Sequence, residues 1–354
     1  MRIGILNLPL DNNYGGNLQR YALVKVLQDM GHSPIHLYLR NDSIVDFPLW
    51  WKMISFTKRV LKKIILGFNG PLIYRHPYYV RMKEIFRFYR SYIPHTRRIF
   101  VSNDFKRYAS FDAYIVGSDQ VWRNQYANKF LSEMYLGFVD NSKTKRIAYG
   151  VSFGTDIDEY SNEERCFCGK LYSKFYAVSV REQSALDLIA LYGWEHPAAI
   201  RVVDPTFLLN AADYEKLINN TVTVQPEGDV FCYVLDENQE MELYISNFCR
   251  EKGLVPFFCA LQNKINSSIE QWLRNIRDAK YVITDSYHGV IFSLIFNKPF
   301  TVYENMNRGS ARIKELKRLF NIQEENFQLD NLYISEIIDK EKTKAINFLV
   351  NSLR

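Results

Sequence analysis

Cysteine is scarce here: the 354-residue chain carries five, Cys166, Cys168, Cys232, Cys249 and Cys259. The number is odd, no CxxC pair occurs, and no histidine stands at metal-ligand spacing. That pattern argues against a zinc ribbon or a disulfide scaffold and for reduced packing thiols in a reducing compartment. The start, MRIGILNLPLDNN, lacks the basic and long apolar parts of a secretory signal. No run approaches the roughly 20 apolar residues of a spanning helix, so a cytoplasmic protein is expected. Neither a GxGxxG fingerprint nor a P-loop lysine is present, which leaves NAD and ATP unindicated. Internal repeats and low-complexity tracts are absent as well.

Acidic residues are nearly missing from one stretch. Between Lys52 and Arg98 a dense series of lysines and arginines is opposed only by Glu84, and much of the net charge of +6 gathers there. Such a stretch favours an anionic partner: acidic lipid, a diphosphate-linked substrate, or nucleic acid. No nucleic-acid module is recognisable, so that partner is not expected. Within the stretch, Trp51 to Phe68 predicts an amphipathic helix. Trp51, Ile54, Leu61, Ile65 and Phe68 fall near one face, and Lys52, Lys58, Arg59, Lys62 and Lys63 flank or oppose it. It suits peripheral contact with the inner face of a membrane, or packing on its own domain.

What is plentiful is globular: 47% hydrophobic and 24% charged residues, in a chain comfortable for two domains. Aromatics reach 15%, serving core packing or stacking on sugar rings. The segment Arg2 to Leu8 reads as a strand, Leu18 to Met30 as a helix and Pro34 to Leu39 as a strand, a βαβ unit. Strands at Ala113 to Val116, Arg146 to Val151, Ala177 to Val180 and Arg201 to Val203 continue the alternation. The hydrophobic pattern weakens between Ala211 and Asp229, which reads as the interdomain connection. A second set follows, with strands at Val230 to Leu235, Val255 to Ala260, Lys280 to Thr284 and Phe300 to Tyr303. The resulting division is a first domain over 1–210 with a basic aromatic insertion near 50–100, a second over 211–330, and a C-terminal helix over 331–354 placed to return to the first.

Four segments carry candidate chemistry. Tyr281 to Phe296, YVITDSYHGVIFSLIF, is a strand, a polar turn and an apolar helix. Ligands of open α/β sheets gather beyond the carboxyl ends of strands, where this turn puts Ser286, Tyr287, His288 and Gly289. An imidazole there can take or return a proton, or simply cap the helix. In AVSVREQSALDL, Arg181 follows a strand directly and can fork around a carboxylate or phosphate, or pair with an acid such as Glu182. The first turn, with Asn13, Gly15, Gly16 and Asn17, opens a helix whose free N–H groups can receive phosphate or sugar oxygen. The segment YIVGSDQVWR ends a strand in Gly117, Ser118 and Asp119, with Arg123 beyond, and reads equally as an N-capped helix start. Asp204-Pro205 after a strand and the basic loop RGSARI, with Arg308 and Arg312, are smaller pieces.

In this order, the glycine turn with LQRYAL, then GSDQVW, SVRE with Ser184, DPTFLL, TDSYHG and SARI, the chain resembles the polysaccharide pyruvyl transferase family from Arg2 to about Leu319. The resemblance implies a GT-B-like α/β fold, two facing Rossmann-like domains with mainly parallel sheets. It also implies transfer of the enolpyruvyl group of phosphoenolpyruvate to a sugar in bacterial surface polysaccharide assembly. His288 would match the family's active-site histidine and Arg181 an arginine assigned to the donor. Ser286, Tyr287, Gly289 and Arg312 would join the donor site, and the two glycine turns would form an acceptor or phosphate loop. Phosphoenolpyruvate is then a co-substrate, and the chemistry asks for one acid/base group and cations for two anionic ends, with no obligatory cofactor or metal. The acceptor would be a sugar on a polyprenyl diphosphate.

One departure stands out: many relatives in the family that the chain resembles read Arg-Leu-His where this chain reads Ser286-Tyr287-His288. Arg312, Arg308 or Arg123 would have to supply the missing cation, or the donor differs. Two other readings share the fold: a nucleotide-sugar glycosyltransferase, for which Glu304 is the candidate ribose-binding carboxylate, and a non-catalytic subunit of polysaccharide assembly.

Overall fold

Apolar runs too short for helices alternate with amphipathic segments along the chain, and the computed structural model folds them into two sheets. It describes residues 1–39, 49–67, 69–70, 72, 77–108, 110–236, 238–258, 267–303, 310–322, 326–327 and 330–354. The first sheet opens with β1 (Arg2–Leu6), α1 (Tyr14–Asp29) and β2 (Ser33–His36). Helix α1 starts earlier than the apolar pattern at Leu18 predicts, because Asn13 caps it by accepting from the Gly16 amide at 3.0 Å. The glycine turn is therefore the helix's own first turn.

An insertion of α2 (Leu49–Leu66), α3 (Pro77–Arg81) and α4 (Lys83–Tyr92) precedes β3 (Ala113–Val116). Then come α5 (Asn124–Ala127), α6 (Leu131–Met134), β4 (Lys145–Val151), α7 (Asn162–Tyr172), β5 (Ala177–Val180), α8 (Gln183–Leu191) and β6 (Ala199–Arg201). The strand order is β2-β1-β3-β4-β5-β6, every pair parallel. Strand β3 is buried along its whole length, as a parallel strand covered on both faces must be.

The second set runs α9 (Ala211–Asn219), β7 (Val230–Tyr233), α10 (Gln239–Lys252), β8 (Pro256–Phe258), α11 (Ile269–Asp278), β9 (Tyr281–Thr284), α12 (Tyr287–Ile295), β10 (Phe300–Val302), α13 (Ser310–Leu319), β11 (Asn326–Phe327) and α14 (Asn331–Leu353). Its sheet order is β11-β10-β9-β7-β8, parallel except for β11 on the edge. The expected connection over Ala211 to Asp229 is corrected in its first half. Helix α9 occupies it, started by a reciprocal cap between Asn210 and Asp213, with Tyr214, Leu217 and Ile218 buried at helical spacing. Three apolar positions among polar ones were too few to register as an element. The extended link is confined to 221–229.

The two sheets share a hydrophobic core, in which Leu18 and Phe88 join Trp272 and Val282. Tyr14 stacks on Trp272, ring centroids 5.7 Å apart, and Arg87 reaches the buried Glu270 at 2.5 Å. The largest fully buried side chains are all aromatic, which assigns much of the chain's Tyr and Phe to packing. Helix α14 lies against the first sheet: Lys145 Nζ donates to the Ser352 carbonyl at 3.2 Å, Arg201 pairs with Glu341 at 3.0 Å, and Phe348 packs on Tyr149. The turns after β3, β5 and β6 of the first sheet meet the turn after β9 of the second, where Arg181 lies over Tyr287 and His288 near Asp204, a GT-B-like arrangement.

Candidate active site

Strand β5 ends at Val180, so Arg181 emerges at the sheet's carboxyl edge, with a side chain only 2% exposed. A guanidinium buried this deeply needs counterions, and it has them. Nη1 donates to Asp204 Oδ2 at 2.7 Å, Nη2 lies 3.4 Å from Asp119 Oδ1, and Nε stands 3.9 Å from Glu182 Oε2. Its Cζ lies over the Tyr287 ring, 4.8 Å from the centroid. Arg312, from α13, takes a similar place over Tyr287 at 5.2 Å and approaches the same Asp119 oxygen at 3.5 Å. Two cations from different parts of the chain thus converge on one phenol ring and one carboxylate.

His288 lies in the first turn of α12, capped by Ser286, whose Oγ accepts from the Gly289 amide at 3.4 Å. Asp285 fastens this turn to the neighbouring strand end by accepting from the amides of Leu235 and Asp236 at 2.7 and 3.1 Å. The His288 ring presses against the backbone of α1 at Gly15. A Cβ there would lie 2.0 Å from Cγ and 2.1 Å from Nδ1, so only glycine admits the imidazole. His288 Nε2 is buried, makes no hydrogen bond among the described residues, and stands 3.8 Å from Asp204 Oδ2.

Asp204, mentioned above only as a lesser piece, is the hub. Its carboxylate is fully buried and accepts from Arg181, Gln19, and the amide and hydroxyl of Thr206. Burial opposes its ionisation, yet His288 and Arg181, with the Thr206 amide, hold it well below the usual carboxylate range. Asp119 follows the same logic: burial is outweighed by Arg181 and Arg312, and its carboxyl is lowered. Glu182 goes the other way. Burial pushes its carboxyl up despite Arg181 and a 2.6 Å bond from the Ser152 hydroxyl. Burial likewise raises the Tyr287 phenol. The signal for Asp204 was available in sequence, an acid directly after a strand and before a proline, but its partners Gln19 and His288 lie far off along the chain.

The remaining candidates divide. Asn13 and Asn17 are spent on the α1 turn, where Asn17 Nδ2 donates to the Asn13 carbonyl at 2.8 Å and Gly16 lies against Asn13. Gly117 and Ser118 are buried supports for Asp119. A Cβ at Gly117, where φ is +108°, would meet the Tyr149 carbonyl at 2.3 Å, and Ser118 Oγ donates to the Gly150 carbonyl at 2.7 Å. Arg123 is drawn away to Glu159 at 2.8 Å. Arg308 and Glu304 lie outside the described residues.

The profile of the polysaccharide pyruvyl transferase family matches residues 13–307. The chain belongs to that family. None of the curated proteins matches it in sequence. Among solved structures it is similar to the UDP-GlcNAc 2-epimerase of Methanocaldococcus jannaschii, at 9% identity over 96% of this chain and 92% of that one, TM-score 0.49. It is also similar to the UDP-GlcNAc 2-epimerase of Neisseria meningitidis bound to UDP-GlcNAc, at 10% identity over 100% and 99%, TM-score 0.49. In this pyruvyl transferase family member, of the two described arginines considered above, Arg312 stands at Tyr287 and Arg123 pairs with Glu159.

Proposed function

We propose that this pyruvyl transferase family member moves the enolpyruvyl group of phosphoenolpyruvate onto a sugar of a bacterial surface polysaccharide or of its lipid-linked precursor. The observation that carries this reading is the convergence of Arg181, Arg312 and His288 around Tyr287. Phosphoenolpyruvate has two anionic ends and one carbon that must be protonated, and this set has two guanidinium groups and one imidazole. Arg181 and Arg312 would hold the carboxylate and phosphate. Their contacts with Asp119, at 3.4 and 3.5 Å, are longer than good charge-assisted bonds.

In the reaction, a sugar hydroxyl attacks the central carbon and loses its proton, the methylene carbon gains one, and phosphate leaves. A second hydroxyl then closes the ketal. His288 would carry the proton, with the anionic Asp204 behind it stabilising the imidazolium. Ser286 and Gly289 shape the donor side, and the turns holding Gly15 and Asp119 border the acceptor side. Incubation with phosphoenolpyruvate and candidate lipid-linked sugars should release phosphate and add an enolpyruvyl mass to the acceptor. Thermal shift by UDP with none by phosphoenolpyruvate would overturn the proposal in favour of nucleotide-sugar chemistry.

A further inference from the structure

Helix α2 leaves its apolar side uncovered. At about 3.6 residues per turn, Trp50, Met53, Ile54, Leu61, Ile64 and Ile65 share one side. Trp50 is 62%, Met53 63%, Ile64 75% and Ile65 72% exposed. Ile54, Leu61 and Ile65 belong to the face expected from sequence; Trp51, at the edge of the stripe, is half-buried, and Phe68 lies outside the described residues. The alternative expectation, that the apolar side packs on its own domain, does not hold for this helix.

An exposed apolar stripe of this size marks an interaction surface. The charge chooses the partner. Helix α2 has no acidic residue, and Lys58, Lys62 and Lys63 are all exposed beside or opposite the stripe. Apolar residues that enter a bilayer boundary, with lysines that reach headgroups, are the requirements of a helix lying in an anionic lipid surface. A protein partner of ordinary composition would not need a helix whose charged residues are all basic. No helix among the described residues is long and apolar enough to cross a membrane.

We infer that α2 docks this protein on an anionic bilayer, with Trp50, Met53, Leu61, Ile64 and Ile65 inserted and Lys58, Lys62 and Lys63 at the headgroups. The surface is independent of the pyruvyl-transfer reading, since binding needs no turnover. A site docked in this way would meet lipid-carried acceptors without extracting them.

The test is co-sedimentation of the full chain with phosphatidylcholine vesicles, with and without phosphatidylglycerol, at low and high salt. The wild type should bind the phosphatidylglycerol vesicles, less at high salt, and bind phosphatidylcholine alone weakly. Tryptophan emission should move to the blue on binding, and replacing Trp50 and Trp51 together by Phe should remove that shift, because Trp122, Trp194 and Trp272 are buried already. Replacing Ile64 and Ile65 by Ser should weaken partition at least about 100-fold. Replacing Lys58, Lys62 and Lys63 by Gln should weaken it up to about fivefold per residue. These side chains are exposed, so unchanged circular dichroism is expected; if the serine variant unfolds, the lysine variant decides. Absence of wild-type binding at low salt, or equal binding with and without phosphatidylglycerol, overturns the inference. So does a wild-type dimer that the serine variant converts to monomer without any vesicle binding, which would make the stripe an interface between copies.

Discussion

At the residue scale the site is a balance of buried charges, and each member has a distinct expected failure. His288→Gln keeps a polar side chain against Gly15 but no titratable nitrogen. It should lower kcat for pyruvyl transfer by about 10²- to 10⁴-fold with Tm near wild type, read by steady-state kinetics beside calorimetry. Full turnover in the folded variant would remove the imidazole from the mechanism. Arg181→Ala should both raise KM for phosphoenolpyruvate and cost about 3 kcal/mol of stability, because it strands Asp204 in the core. Arg181→Lys should recover part of the stability and little of the donor affinity, since a point charge cannot reproduce the fork.

Glu182 offers a test of sign. Its carboxyl is raised by burial, so folding favours the protonated form. Wild-type stability therefore falls as pH rises from the ordinary carboxylate range through the raised folded value. Glu182→Gln imitates the protonated state and can still accept from Ser152. The variant should match wild type near pH 4 and become the more stable of the two toward neutrality, by urea denaturation across pH. Asp204 and Asp119 act oppositely: their stabilisation is present above the ordinary carboxylate value and fades as pH falls toward their lowered ones.

At the scale of elements, the first turn of α1 matters through what it lets approach. Gly15→Ala places a methyl within 2.6 Å of three His288 atoms, so ring or helix must move. A loss of about 1–3 kcal/mol is expected, with a fall in kcat out of proportion to the change in Tm. Gly16→Ala meets only Asn13 at 3.4 Å and should be tolerated. Equal effects of the two substitutions would show that the turn serves the helix and not the imidazole.

For the whole molecule, the carboxyl-terminal helix joins what the two sheets began. Leu349 and Leu353 of α14 are buried with Ala345 in the shared core, and Glu341 closes on Arg201. Leu349→Ala should cost about 2–5 kcal/mol by calorimetry although it lies far from His288 along the chain. A silent substitution would mean that α14 is a peripheral strap.

The sequence alone determined the local elements and their alternation, because strand and helix periodicities are written over a few residues. The strands over Ala113–Val116 and Ala177–Val180 were legible to the residue, and so were the turns bearing His288 and Arg181. Helix α9 was not, since its apolar side is three residues whose meaning lies in the partner they meet. The roles of Gly15 and Asp204 were also out of reach. One is set by the distance between α1 and α12, the other by three partners, Gln19, Arg181 and His288, brought from separate segments. That the apolar side of α2 stays uncovered was likewise a tertiary decision: an amphipathic pattern states that two faces differ, and only the packed fold determines whether either is covered.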